Sequence, residues 1–291
     1  MMKLSEHELG FLQVDPLPSL EELNDYYEKS YYQETTSSTY QSTYSESELQ
    51  YINNKIAQRA AVVLEKIKYS GKLLDVGCGE GFVLAFFKKL GWSVEGIDFS
   101  DFGILNFNPT LINQFEKGDI YNILNRKLTS QDKYDVLWLG NVLEHVLDPV
   151  DLLEKLKLLL AKNGILVITV PNDASKYQEL LFTEGYVEKN WWIIAPDHIS
   201  YFNYQTLQNT CNFTGFKVEQ VLGDFPIDLF LLHKGSNYVS NKSLGKEAHN
   251  ARVRMENFIS ENKIEDINQF YSSLAKVGLG RDLTIFLSVA K

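Results

Sequence analysis

The sequence predicts an α/β protein built on a doubly wound, mostly parallel sheet, and three observations carry that prediction. From Gly71 onward, short apolar runs alternate with amphipathic stretches. A glycine-rich turn, Gly77-Cys78-Gly79-Glu80-Gly81, follows the first of these runs. Acidic residues close the successive runs at Asp75, Asp98 and Asp119. Repeated strand–helix units call for a parallel sheet covered on both faces, and ligands of such sheets sit at the carboxyl edge of the strands.

The elements follow in order. Leu73 to Val76 reads as a strand, Phe82 to Leu90 as a helix and Ser93 to Ile97 as a second strand, since these apolar runs are short and bounded by Gly or Asp. A weaker strand lies near Phe115, and a strong one spans Tyr134 to Leu139. A helix runs from Val150 to Ala161, ends where Asn163-Gly164 offers a C-terminal cap, and leads to a strand from Ile165 to Val170 that stops at Pro171. Beyond it, an aromatic segment (Trp191, Trp192, Tyr201, Phe202, Tyr204) precedes a helix near Gln205 to Phe213 and a strand from Phe216 to Leu222. The last strand spans Leu283 to Ala290.

This rhythm divides the chain into an N-terminal strand and helical cap (1–55), a core (56–172), a substrate-side segment with the sixth strand (173–226), a helical insertion (227–280) and a closing strand (281–291). The charges of the insertion are spaced as on exposed helix faces, which suits a surface lid or a dimerisation element. The polar stretch from Tyr31 to Glu48 reads as the most mobile segment.

Composition excludes several classes. A chain of 291 residues, 44% hydrophobic, buries one core with additions. The formal net charge of −10 and the absence of repeated basic tracts argue against nucleic acid as a substrate. No apolar run approaches the roughly 18 residues of a membrane span, so a cytoplasmic protein is expected. Cys78 and Cys211 are the only cysteines and have no CxxC partner. The histidines are scattered, and neither zinc nor any other metal constellation shows in the spacing.

The glycine turn permits close backbone approach to a ligand. Dinucleotide sites use GxGxxG, whereas here the third glycine, Gly81, comes one position early and Phe82 stands in its place. Asp75-x-Gly77-x-Gly79-x-Gly81 resembles instead the first motif of class I S-adenosylmethionine-dependent methyltransferases. The resemblance implies a seven-stranded sheet, S-adenosylmethionine as cofactor and S-adenosylhomocysteine as product. Asp75, Gly77, Cys78, Gly79 and Gly81 would then wrap the methionine part, with Asp75 facing its ammonium. Asp98 would hold the ribose diol, with Phe99 beside it. Lys117-Gly118-Asp119-Ile120 resembles the adenine-binding turn, in which Asp119 accepts from the exocyclic amine and Ile120 packs on the ring; Asp119 equally suits a helix N-cap.

Leu139-Gly140-Asn141-Val142-Leu143-Glu144-His145-Val146-Leu147-Asp148-Pro149 resembles the Glu-His-x-x-Asp-Pro segment of the ubiquinone-biosynthesis-like, methyltransferase-23 type. That places the backbone of Leu139, Gly140 and Asn141 at the methionine end and Glu144-His145 at the mouth of the substrate pocket. Phe11 to Pro18, Tyr31-Tyr32-Gln33 and Pro196 to Phe202 are similar to the flanks of bacterial methyltransferases found with enzymes of surface-polysaccharide and sugar-metabolite synthesis.

Methyl transfer needs positioning and exclusion of water, and a base where the acceptor is an alcohol. Candidate bases are His145 and His198, with Glu144 or Asp197 as orienting groups and an ordinary histidine pKa of about 6.5. The alternative role for His145 is to fix the next helix. The function that follows is methylation of a hydroxyl or amine on a small metabolite, a sugar or sugar nucleotide by the flanking resemblance. Its competitors are a methyltransferase for RNA or protein, a cofactor-binding protein without catalysis, and an NAD-dependent oxidoreductase on the same sheet.

Overall fold

The computed structural model describes residues 3–19, 22–23 and 43–290. Strands β1 (Lys3–Glu6) and β2 (Leu12–Asp15) form an antiparallel hairpin. Tyr31, Tyr32 and Gln33 lie outside the described residues, as does most of the polar stretch that contains them. The end of that stretch is ordered. Ser45 and Glu48 make a reciprocal capping box that opens helix α1 (Glu46–Lys66).

The core then alternates as the sequence predicts: β3 (Lys72–Val76), α2 (Phe82–Lys89), β4 (Ser93–Asp98), α3 (Phe102–Phe107), β5 (Phe115–Lys117), α4 (Ile120–Thr129), β6 (Tyr134–Gly140), α5 (Pro149–Leu159) and β7 (Leu160–Pro171). After α6 (Lys176–Thr183) come β8 (Ser200–Tyr201), α7 (Tyr204–Phe213), β9 (Phe216–Gly223), α8 (Gly245–Ile259), α9 (Ile264–Lys276) and β10 (Asp282–Val289). Seven strands form one sheet in the order β5-β4-β3-β6-β7-β10-β9. All neighbours up to β7 are parallel, and β10 runs antiparallel to both β7 and β9. The chain leaves β3 towards β4 and later returns to β6 on its other side, so the topological switch lies at β3.

Both faces of the sheet are buried, which is why its strands are near-continuously apolar. Leu74, Val76, Leu137 and Leu139 point into one core with α4, α5 and α7. Leu73, Val136 and Trp138 point into the other with α1 and α2. Ile267 and Tyr271 of α9 belong to this second core. The second half of the insertion is therefore a core layer on its inner side, where the sequence suggests a surface lid or a dimerisation element. The boundary placed after residue 55 also moves, because it falls inside α1.

One local expectation fails. The fifth helix ends at Leu159, and Asn163-Gly164 lies within β7. Gly164 lacks a left-handed φ; a Cβ there would come 2.8 Å from Leu160 Cδ1 and 3.0 Å from the Asp135 carbonyl oxygen. It serves close strand approach at the register shift between Tyr134 and Val136, not helix termination.

Trp192, Ile199 and Tyr201 pack with Val14 beneath the β1–β2 hairpin, to which β8 adds a third strand. The aromatic segment is thus chiefly an anchor. Among the described residues no helix is long and apolar enough to cross a membrane.

Candidate active site

A cleft of about 410 Å³ opens at the carboxyl edge of β3, β4 and β6. The turn after β3 forms its floor, with Gly77, Gly79 and Gly81 at φ of 74°, 50° and 74°. A Cβ on Gly77 would lie 2.3 Å from Val142 Cγ2, so this position requires glycine for both conformation and space. Asp98 fixes the turn: its Oδ2 accepts from Gly79 N at 2.9 Å and its Oδ1 from Ser100 N at 3.0 Å.

Asp75 is 3% exposed, and its side chain has no hydrogen bond or ion pair among the described residues. Burial, with the charge of Asp98 added, pushes its carboxyl up to about 8. A buried acid so placed favours a cationic ligand.

Several predicted residues line this cleft: Asp75, Gly77, Cys78 and Gly79 from the turn, Asp98 and Phe99 after β4, and Ile120. Gly140, Asn141 and His145 line its far wall. Three of the expected cofactor residues do not reach it. Gly81 is the N-cap of α2, Leu139 is buried in the core, and the Asp119 side chain accepts from Asn122 N at 2.8 Å as a helix cap. Glu144 and His198 stand behind His145, outside the lining.

Residues that sequence reasoning missed also face the cleft. Ile52, Ile56 and Arg59 share one face of α1 and line it, with Trp138 and Thr169 from β6 and β7. Their i, i+4, i+7 spacing was a readable signal of a common face. Arg59 has no ion pair among the described residues. Tyr44 Oη donates to Glu80 Oε1 at 2.7 Å, tying the start of α1 to the glycine turn.

His145 Nδ1 lies 2.6 Å from the Asp197 carbonyl oxygen. A carbonyl only accepts, so Nδ1 carries the hydrogen and the lone pair is on Nε2. Burial, then the nearby His198, lower the His145 pKa to about 3, which corrects the ordinary value of the sequence reading. Burial pushes Glu144 up to about 8, and both its carboxyl oxygens lack a hydrogen-bond partner among the described residues.

Glu144, His145 and His198 each offer one side-chain nitrogen or oxygen atom, and these three atoms lie within 4.8 Å of one another. Their spacing in sequence hides this convergence, and with it the expectation of no metal-type cluster fails. Burial opposes a charge on His198, but Asp173, Glu144 and Asp197 outweigh it and raise its pKa. The acids around His198 favour its protonated form, which has no lone pair for a metal, and so work against metal binding there.

The methyltransferase-23 model, described as a methyltransferase domain, matches residues 47–221. The chain belongs to this methyltransferase family. It is an S-adenosylmethionine-dependent methyltransferase, and its glycine turn and cleft lie within the matched region. The ubiquinone biosynthesis O-methyltransferase of Actinobacillus pleuropneumoniae serotype 7 is 25% identical over 169 residues, covering 53% of this chain and 69% of that protein. The protein of the same name from Histophilus somni is 31% identical over 134 residues, 44% of this chain and 52% of its own length. Among solved structures, the plantazolicin methyltransferase BpumL in complex with SAH shares the fold, with a TM-score of 0.50 and 14% identity across 84% of this methyltransferase and 86% of that chain.

Proposed function

We propose that this methyltransferase methylates a hydroxyl of a small metabolite, with Asp75 and Asp98 holding the cofactor and His145 acting as base. The observation that carries the reading is Asp75, a buried carboxyl group without a side-chain partner among the described residues, set over a glycine turn in a cleft of cofactor size. Asp75 receives the ammonium of the cofactor and Arg59 its carboxylate. Asp98, which bridges Gly79 and Ser100 at the mouth of the glycine turn, holds the ribose diol. Phe99 and Ile120 flank the adenine.

When bound, S-adenosylmethionine supplies an activated methyl group on a sulfonium. The protein brings the acceptor oxygen to about 3 Å from that carbon and excludes water. His145 Nε2, the ring nitrogen without the hydrogen, takes the acceptor proton.

The flanking segments support a sugar or sugar nucleotide as acceptor. The relatives named for ubiquinone biosynthesis support a second reading, an aromatic hydroxyl, which the apolar walls Ile52, Ile56, Val142 and Val146 suit.

Calorimetry with S-adenosylhomocysteine and with NAD tests the site. The expected result is that S-adenosylhomocysteine binds and NAD does not; tight NAD binding without S-adenosylhomocysteine binding sinks the reading. A screen of nucleotide sugars against catechols then separates the two acceptor classes.

A further inference from the structure

Asp173 follows β7 and is 1% exposed. Its Oδ1 accepts from Arg281 Nη1 at 2.7 Å, and its Oδ2 stands 3.9 Å from His198 Nδ1. The second separation is too long for a hydrogen bond and short enough for strong attraction between buried charges. His198 in turn meets His145 edge-on, with ring centroids 4.8 Å apart and planes at 85°.

The segment carrying His198 is fastened to the turn carrying His145. Ile199 N donates to the Glu144 carbonyl at 2.8 Å, and Tyr201 Oη to the His198 carbonyl at 2.9 Å. The Asp197 carbonyl, one residue before His198, is the one that fixes the His145 tautomer. Anything that holds His198 therefore holds His145.

The charges point the same way. His198 faces Glu144 and His145 from the turn after β6, Asp173 after β7, its neighbour Asp197 and the Tyr201 phenol, with Arg281 behind Asp173. These acids favour a charged His198, and a charged His198 disfavours a second proton on His145.

We propose that Asp173 is a positioning residue for methyl transfer: with Arg281 it fixes His198 behind His145, so that the cleft presents a neutral His145 with its lone pair on Nε2. This rests on His145 being the base. The acceptor proton moves to Nε2 as the oxygen electron pair bonds the methyl carbon and the carbon–sulfur pair stays on sulfur. The proton then leaves Nε2 for solvent through the cleft that His145 lines.

Histidine side-chain ¹⁵N spectra of the full chain, recorded from about pH 5 to about 8.5, test this without an acceptor. Loss of lines in His145→Gln and His198→Gln assigns the two rings. The expected result is a neutral His145 with hydrogen on Nδ1 throughout, and a His198 still charged above pH 6.5, the ordinary histidine value. In Asp173→Asn, His198 loses its charge at least about one pH unit lower, while S-adenosylhomocysteine affinity stays within about twofold, since Asp173 lies outside the cleft.

A wild-type His145 that carries hydrogen on Nε2, or takes a second proton near pH 6.5, overturns the proposal even if Asp173→Asn does not fold. Unchanged His198 titration in a folded Asp173→Asn also overturns it, as does stoichiometric Zn²⁺ binding through His198. Failure of S-adenosylhomocysteine to bind would instead overturn the cofactor site, whatever the histidines do.

Discussion

Asp75 shows how a single side chain couples the cleft to pH. Its folded-state pKa of about 8 lies above its ordinary value of 3.8, so between those limits the cofactor-free folded protein holds a proton that the unfolded chain does not. By linkage this acid subtracts stability as pH rises through that window. An ammonium in the cleft favours the carboxylate, so binding expels the proton. S-adenosylhomocysteine affinity is therefore expected to rise between pH 6 and 8, by up to about tenfold per unit, and to level above 8. Asp75→Asn should bind more weakly and lose that slope; a pH-independent dissociation constant in the wild type would separate Asp75 from the cofactor. Asp75 and Asp98 were legible because strand ends and loop spacing fix where an acid faces. The Asp119 carboxylate was not, because helix capping and ligand binding use the same residue type at the same place. Asp173 and Arg281 were illegible for another reason. They meet across 108 residues, and no local pattern announces such a pair.

At the scale of elements, the β3–α2 turn works because the turn after β6 presses on it. The contact is Val142 against Gly77, where a Cβ would come within 2.3 Å of Cγ2. Gly77→Ala is expected to cost about 1–3 kcal/mol through overpacking and left-handed strain and to weaken S-adenosylhomocysteine binding. Val142→Ala should recover the overpacking part, leaving the backbone part, so the two substitutions are non-additive. Urea midpoints and calorimetry of the four proteins give the coupling. Strict additivity would show that the two turns do not touch in this way. The turn itself was legible as a contiguous glycine pattern. Its dependence on Val142 was not, since that requires knowing that β6 lies beside β3. Asn163-Gly164 misled in the opposite direction, because a glycine that admits a neighbouring strand looks the same in sequence as one that caps a helix.

Across the whole molecule, the insertion decides whether the methyltransferase unfolds as one body. Glu256 of α8 gathers the Tyr271 hydroxyl of α9, the Phe225 amide at 3.1 Å and Lys55 of α1 at 3.4 Å. The Lys55 ammonium also lies over the Tyr271 ring, 4.2 Å from its centroid. Tyr271 is fully buried against the sheet with Leu222 and Phe286. This polar knot joins α8 and α9 to the helix whose Ile52, Ile56 and Arg59 line the cofactor cleft. Charged spacing in the sequence exposed the outer faces of these helices and concealed the inner ones, which is why the segment read as a surface lid or a dimerisation element. Tyr271→Phe keeps the ring and removes one donor from a buried carboxylate, an expected loss of about 1–3 kcal/mol. Because the knot belongs to the same core as Trp92 and Trp138, tryptophan fluorescence and far-ultraviolet circular dichroism should follow one coincident transition at a lower midpoint. A separately folding lid would give two transitions, with the tryptophan signal unmoved by the substitution. A coincident shift, accompanied by weaker S-adenosylhomocysteine binding through α1, would make the insertion a structural support of the cofactor site.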